Sequence, residues 1–333
     1  MMRTLIGRLV GGGIVALALF VSCQAAPKTE RLYGVDYVEV DALSARAGLT
    51  QSWVVPQNKV LLTDKNTRVQ LEADSREIEY DGLRLFLGEP AVTNRRTIYL
   101  SRIDLDRFLL PMLQPRQIPG AVPRLRTIVI DPGHGGKDDG AINAKLKLRE
   151  KAMALDVALR LEKLLKAAGY RVVMTRRRDT FIPLPLRPTH ATKVDADLFI
   201  SIHFNALENK AISGSETYIL TPQYQRSTSS DKRQPDDKER YDGNAYDPWN
   251  SILGLKLHSA VVHSLQTTDR GMKHARFAVL RDLKCPGLLV EGGYVTNEGE
   301  ARKIATPEWR QRLAQAIAAG IGDYRAALDK ARK

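Results

Sequence analysis

Cysteine is almost missing from this chain: 333 residues hold only Cys23 and Cys285. That excludes a disulfide framework, and neither cysteine has a base or metal partner nearby in sequence to mark a reactive thiol. Cys285, beside Pro286, reads as a packing residue. Aromatic residues are also sparse, at 6% of the chain. The basic stretches Arg176-Arg177-Arg178 and Lys232 to Arg240 therefore lack the aromatic interleaving of a single-strand binding platform, and no nucleic-acid partner is expected. Long apolar runs are missing too. Leu9 to Val21, interrupted by Gly11, Gly12 and Gly13, is too short for a comfortable membrane span, and no later segment approaches about 18 apolar residues, which excludes a polytopic protein. Acidic residues are outnumbered, 38 against 51 basic ones, giving a net charge of +13. Such an excess suits anionic lipid or an acidic wall polymer.

The first residues carry a targeting pattern. Arg3 and Arg8 precede the apolar stretch and small residues follow it, so residues 1–26 are expected to be a signal peptide or lipoprotein leader. The mature chain is then exported to the bacterial cell envelope, as a periplasmic, lipid-anchored or secreted protein. Val21-Ser22-Cys23-Gln24 resembles a lipoprotein cleavage box with Phe20 in the usual leucine position. Cys23 is thus a candidate lipidation site that would give a membrane lipid anchor, with ordinary leader cleavage as the alternative.

Hydropathy patterning divides the rest. Residues 31–112 read as a small α+β domain: Tyr37 to Val40 as a strand, Asp41 to Leu49 as a helix opened by an Asp cap, then short alternating segments separated by hairpin signals such as Asp81-Gly82. This part resembles the small domain at the amino end of copper amine oxidases, which implies a scaffold or wall-targeting role. Residues 113–125 are proline-punctuated and read as a stiff linker, so a fragment beginning at 124 is expected to work alone. In residues 126–328, strands at 126–131, 170–175, 197–203, 216–220, 277–280 and 287–291 alternate with helices near 150–168, 250–265 and 307–328. The expected fold class is α/β: a mainly parallel sheet of about six strands with helices on both faces, preceded by the small α+β domain. The polar tract from Pro222 to Pro248 carries too little apolar surface to fold by itself and is expected to be a mobile loop without a helical plug.

Two of these strands end in histidine. Ile128-Val129-Ile130-Asp131-Pro132-Gly133 leads to His134, Leu198 to Ile202 leads to His203, and Gly287 to Val290 leads to Glu291. Ligands of open α/β sheets bind at that carboxyl edge. With Glu150 at a helix start, His134 and His203 make up the three protein ligands that a hydrolytic zinc site needs, and Glu291 is a fourth reactive group. Each residue taken singly has an ordinary role, the histidines in turns and Glu150 against a helix dipole. The glycine-rich run at Gly133 lacks the phosphate-loop lysine spacing and the dinucleotide pattern, so no nucleotide is expected.

Residues 126 to about 325 resemble the zinc-dependent N-acetylmuramoyl-L-alanine amidases of the third type. The resemblance lies in Ile130 to Ala141, Arg149-Glu150-Lys151, Gly169 to Val172 with Thr175-Arg176 and Asp179, Ala196 to Ala206, and Val290 to Asn297, all in order. It implies Zn2+ held by His134, Glu150 and His203, Glu291 as the catalytic carboxylate, and peptidoglycan as substrate. The implied reaction hydrolyses the amide between the lactyl group of N-acetylmuramic acid and L-alanine of the stem peptide. Asn205 and the backbone after Glu291 are candidate substrate contacts, whereas Arg176 and Arg187 are expected to form structural ion pairs with Asp179 or Asp197. Thr192, Phe204 and Gly292 depart from the usual asparagine, alanine and larger residue, which implies an altered pocket. Alternatives are a zinc peptidase acting within the stem peptide and a non-catalytic wall-binding protein.

Overall fold

Period-two alternation sorts the central strands into two faces. In the strands Thr127–Pro132, Leu198–Asn205 and Gly287–Tyr294, Ile128, Ile130, Leu198, Ile200, Ile202, Leu288 and Val290 enter one large core. Val129, Phe199 and Leu289 enter a second, smaller core on the opposite face. A sheet covered on both faces requires such continuous apolar runs. Helices Glu150–Ala167, Asp247–Leu265 and Pro307–Arg332 supply the large core, and Leu186–Lys193 and Ala278–Arg281 supply the small one. This computed structural model describes residues 28–333, so the leader expected at 1–26 and Cys23 lie outside the described residues. Among the described residues no helix is long and apolar enough to cross a membrane.

The sheet is larger and more mixed than the alternation suggests. Among the described residues it has eleven strands, and its carboxyl-terminal half runs Arg171–Met174, Thr127–Pro132, Leu198–Asn205, Gly287–Tyr294, Ser215–Leu220, Asp269–Ala275. Neighbours there are parallel except for Ser215–Leu220 against Gly287–Tyr294. The strand expected at 277–280 is instead Asp269–Ala275, whose polar sequence hides it, and Ala278–Arg281 is a helical turn.

Residues 113–125 do not divide the strands cleanly into two domains. Leu85, at the end of an antiparallel meander running from Thr50–Val55 to Leu83–Phe86, pairs with Met272 in parallel, so these five strands extend the large sheet, while Glu30–Leu32, Val35–Glu39, Val92–Asn94 and Thr97–Ser101 form a separate four-stranded sheet. The expected linker is docked: Pro115–Gln117 forms a 3-10 turn, and Arg116 Nε donates to the Lys330 carbonyl at 3.1 Å. Upstream, helix Val40–Ala47 stops at Gly48, with φ of 72°, and begins after Glu39 rather than at an Asp41 cap.

The tract 222–248 is held rather than loose. Arg76 of the meander donates to the carbonyls of Arg226, Ser227, Thr228 and Ser230, and Glu89 pairs with Arg226 and Arg233. Gln225 is buried with its amide on Ser101 Oγ at 2.8 Å, and Arg276 pairs with buried Asp237 at 2.7 Å. The tract contains two short 3-10 turns, Pro235–Lys238 and Asp242–Tyr246. Its backbone is satisfied by arginine side chains from elsewhere in the chain, a route to order that an apolar-stripe criterion does not detect.

Candidate metal centre

His134 sits where the strand Thr127–Pro132 breaks into glycines, and its own φ of 58° is a left-handed conformation that non-glycine residues rarely adopt. Gly133 and Gly140 make room for it. A Cβ at Gly133 would lie 2.3 Å from His203 Cε1, and one at Gly140 would lie 2.6 Å from both Glu150 Oε2 and His134 Cδ2. The glycines thus let two histidines and a carboxylate close on one another.

His134 Nε2 and His203 Nδ1 each lie 2.9 Å from Glu150 Oε1, and the candidate ligand atoms of the three residues all fall within 4.8 Å. Asp138, which the sequence reading missed, places Oδ2 2.9 Å from His134 Nδ1. That contact puts the proton of a neutral imidazole on Nδ1 and turns the Nε2 lone pair toward the Glu150 carboxylate. Lone pair facing carboxylate is stable only with a proton or a cation between them. Burial alone would raise the Glu150 carboxyl, but hydrogen bonds from His134 and His203 hold it well below the usual range. Burial likewise opposes a charged His134, and the Glu150 and Asp138 carboxylates more than offset it, raising its pKa. Glu150 Oε2 also accepts the Ala141 N–H at 2.8 Å. Two imidazoles and one ionised carboxylate, pre-positioned and electrostatically unbalanced, suit a zinc ion.

Glu291 stands apart from this set. It pairs in register with His203 on one side and Glu216 on the other, so the three side chains share a sheet face. Although the residue is only half-buried, Oε2 is closed off from solvent and has no hydrogen-bond partner among the described residues. Burial first, then the Glu150 and Glu216 charges, push its carboxyl well above the usual range. Glu216, also missed from sequence, has the opposite environment. Burial opposes its charge, but Lys273 and hydrogen bonds from Tyr218 and Tyr294 keep it lowered. Two adjacent carboxylates driven apart in this way are the pattern of an acid–base site.

The other expected site residues are placed as follows. Asn205 Nδ2 donates toward Glu216 Oε2 at 3.2 Å and the Tyr294 hydroxyl at 3.3 Å. Arg187 pairs not with Asp179 or Asp197 but with buried Asp131, at 2.9 Å, and also donates to the Pro132 and His134 carbonyls. Arg176 donates to the carbonyls of Pro132, Gly133 and Lys151. Asp179 accepts from Lys151 and the Gly136 N–H, and Asp197 accepts the Arg126 and Thr127 N–H groups. The arginines therefore splint the His134 turn through its carbonyls. Phe204 and Gly292 compensate for each other: a Cβ at Gly292 would lie 2.6 Å from Leu313 Cδ2 and 3.0 Å from Phe204 Cε1. Both positions face the large core, so this exchange repacks the interior behind the site rather than reshaping the pocket.

Comparison with known proteins identifies the family. The profile of the Amidase_3 family, N-acetylmuramoyl-L-alanine amidase, matches residues 128–323. The chain belongs to that amidase family. The amidase AmiC of Escherichia coli O6:H1 is 37% identical over 244 residues, covering 66% of this chain and 58% of its own length. The amidase LytC of Bacillus subtilis is 32% identical over 305 residues, 90% of this chain and 56% of its own. The chain thus spans less than two thirds of the length of either relative. Among solved structures, an amidase from Clostridium difficile 630 superposes with a TM-score of 0.51 at 31% identity, covering 61% of this chain and 97% of that one. The catalytic domain of CwlV from Bacillus (Paenibacillus) polymyxa var. colistinus gives 0.50 at 32%, covering 61% and 99%.

Proposed function

We propose that this protein is a zinc-dependent N-acetylmuramoyl-L-alanine amidase that cleaves the lactyl-to-L-alanine amide of peptidoglycan. The observation that carries the reading is Glu291: a buried, unpartnered carboxylate oxygen on the same sheet face as a His-Glu-His set. A purely structural zinc site is normally closed by a fourth protein ligand and has no use for such a group. Zinc held by His134, Glu150 and His203 would supply Lewis acidity, polarising the scissile carbonyl and acidifying water.

The chain's own groups do the rest. Asp138 fixes the His134 tautomer, so that Nε2 stays free to bind. Glu291, made more basic by burial and by its charged neighbours, takes the proton of the attacking water and delivers it to the departing alanine nitrogen. Glu216 stays ionised and saturated with donors, which leaves the proton traffic to Glu291. Asn205 contributes a polar edge for the substrate beside Glu216. In this reading, the leader exports the protein to the envelope and Cys23 is available for lipidation. The amino-terminal segment, like the small amine-oxidase domain it resembles, serves as scaffold and wall contact.

Mass spectrometry of purified peptidoglycan after incubation with the zinc-loaded protein tests the reaction. Release of intact stem peptides with a free amino-terminal L-alanine is expected. Glycan that retains L-alanine, with shorter peptides released, would establish a stem-peptide peptidase instead.

A further inference from the structure

Four neighbouring strands carry one row of polar side chains across the face that bears Glu291. His203 pairs with Glu291, Glu291 with Glu216, and Tyr218, two residues beyond Glu216, with Lys273. Paired residues share a face, so Lys273 stands on the same side of the sheet as the candidate ligand His203. Arg270 joins the row from the irregular start of the strand Asp269–Ala275.

Both cations converge on one oxygen. Arg270 Nε and Lys273 Nζ lie 3.0 and 2.7 Å from Glu216 Oε1, which also accepts the Tyr294 hydroxyl at 2.6 Å. Tyr218 takes Glu216 Oε2 at 2.6 Å, so the carboxylate is locked in place. Among the described residues, Glu216 is the only ion-pair partner of either cation, so two cations share one carboxylate within contact distance. Lys273 is further confined between the Phe86 and Tyr218 rings, 5.7 and 5.9 Å from their centroids, and its side chain is 14% exposed. Arg270 uses Nε on Glu216 and Tyr294 and makes no hydrogen bond through its two terminal nitrogens among the described residues. The Arg270 side chain is 28% exposed, so its two terminal nitrogens are open to an incoming anion.

Position narrows the anion. Strands lie about 4.8 Å apart, so Lys273 is rooted two strands from Glu291, and the Glu216 oxygen it reaches is one strand away. An extended peptide advances about 3.5 Å per residue. A group one residue beyond the scissile bond reaches that span. We propose that Arg270 and Lys273 form a carboxylate subsite for an acidic residue immediately after the L-alanine of the stem peptide, an inference that rests on the amidase reading. The subsite makes the protein selective for stems whose second residue carries a free carboxylate over stems in which it is amidated.

The test uses the full-length, zinc-loaded protein and two soluble muropeptides that differ only in a carboxylate or carboxamide at the second stem residue. KM is expected to be about tenfold lower for the acid, with kcat nearly unchanged, the range of one charge-assisted hydrogen bond. Arg270→Gln should erase that difference by raising KM for the acid alone, and Lys273→Arg should preserve it. Equal KM values for the two substrates, or a rise for both in Arg270→Gln, would overturn the subsite. Calorimetric titration of the same pair reads the subsite without turnover. Tighter binding of the acid with no cleavage of either would sink the amidase reading and uphold the subsite, whereas equal affinities would sink the subsite itself.

Discussion

The two halves of the continuous sheet differ in what their faces can host. In the amino-terminal meander, strands such as Lys59–Thr63 and Arg68–Glu72 alternate buried Val60, Leu62, Val69 and Leu71 with residues open to water. In the catalytic half, Thr127–Pro132 is buried at every position. A carboxylate on the meander's outer face is solvated, as in the Arg84–Glu77 surface pair, where both side chains are 44% exposed. On the catalytic half, a polar side chain at a strand end is desolvated on both sides, so its charge state is set by its neighbours. The chemistry at Glu150, Glu216 and Glu291 depends on this double cover, and the meander helps to build it by placing Phe86 against Gly271 and Lys273.

Separating the halves should have the largest effect. A 124–333 fragment would uncover Met272 and His274 and lose Leu85, Leu87, Phe108 and Leu109, all fully buried. At about 1.5–3 kcal/mol for each such side chain, the loss exceeds about 5 kcal/mol, a large share of an average domain's stability. Thermal melts followed by circular dichroism should show the fragment unfolded or far less stable. Equal melting temperatures for fragment and full chain would return the meander to the status of a separable module.

A smaller effect sharpens the view that the catalytic half is tightly packed behind its site. Gly292→Leu should cost about 1–3 kcal/mol through overlap with Phe204 and Leu313, and Phe204→Ala about 3–5 kcal/mol. Chemical denaturation of the double variant should show a cost well below the sum. Strict additivity would mean that the two positions do not share space.

The smallest effect is at the seam. His274 is fully buried against the Phe108 ring, and burial first, then the Arg76 charge, lower its pKa to about 3. The unfolded chain binds that proton near pH 6.5, so stability is complete above this value and falls as pH drops toward 3, by about 2 kcal/mol at pH 5. Denaturation midpoints of the wild type should therefore fall more steeply from pH 7 to 5 than those of His274→Leu. Parallel pH profiles would place a charged histidine in the seam.

Legibility from sequence follows the same division. His134, His203 and Glu291 could be found because each terminates an apolar run, and a reactive residue after a buried strand has few other reasons to be there. Asp138 was hidden among the neighbouring acidic residues of Lys137-Asp138-Asp139-Gly140. Glu216 and Lys273 acquire meaning only from strand register between segments more than fifty residues apart. The Leu85–Met272 pairing leaves no local trace, so the sheet's continuity was invisible, and proline content at 113–125 suggested a spacer where the chain is docked. The tract 222–248 misled for a related reason: its order comes from Arg76, Glu89 and Arg276, not from its own composition.

The central claim is that three residues hold the metal while Glu291 moves the proton, and Glu291→Gln tests it most directly. Zinc content by atomic absorption, measured beside turnover of soluble muropeptide, should show one ion per chain retained and activity reduced by about 10²–10⁴-fold. Loss of the ion from Glu291→Gln, or full turnover without this carboxylate, would contradict the account.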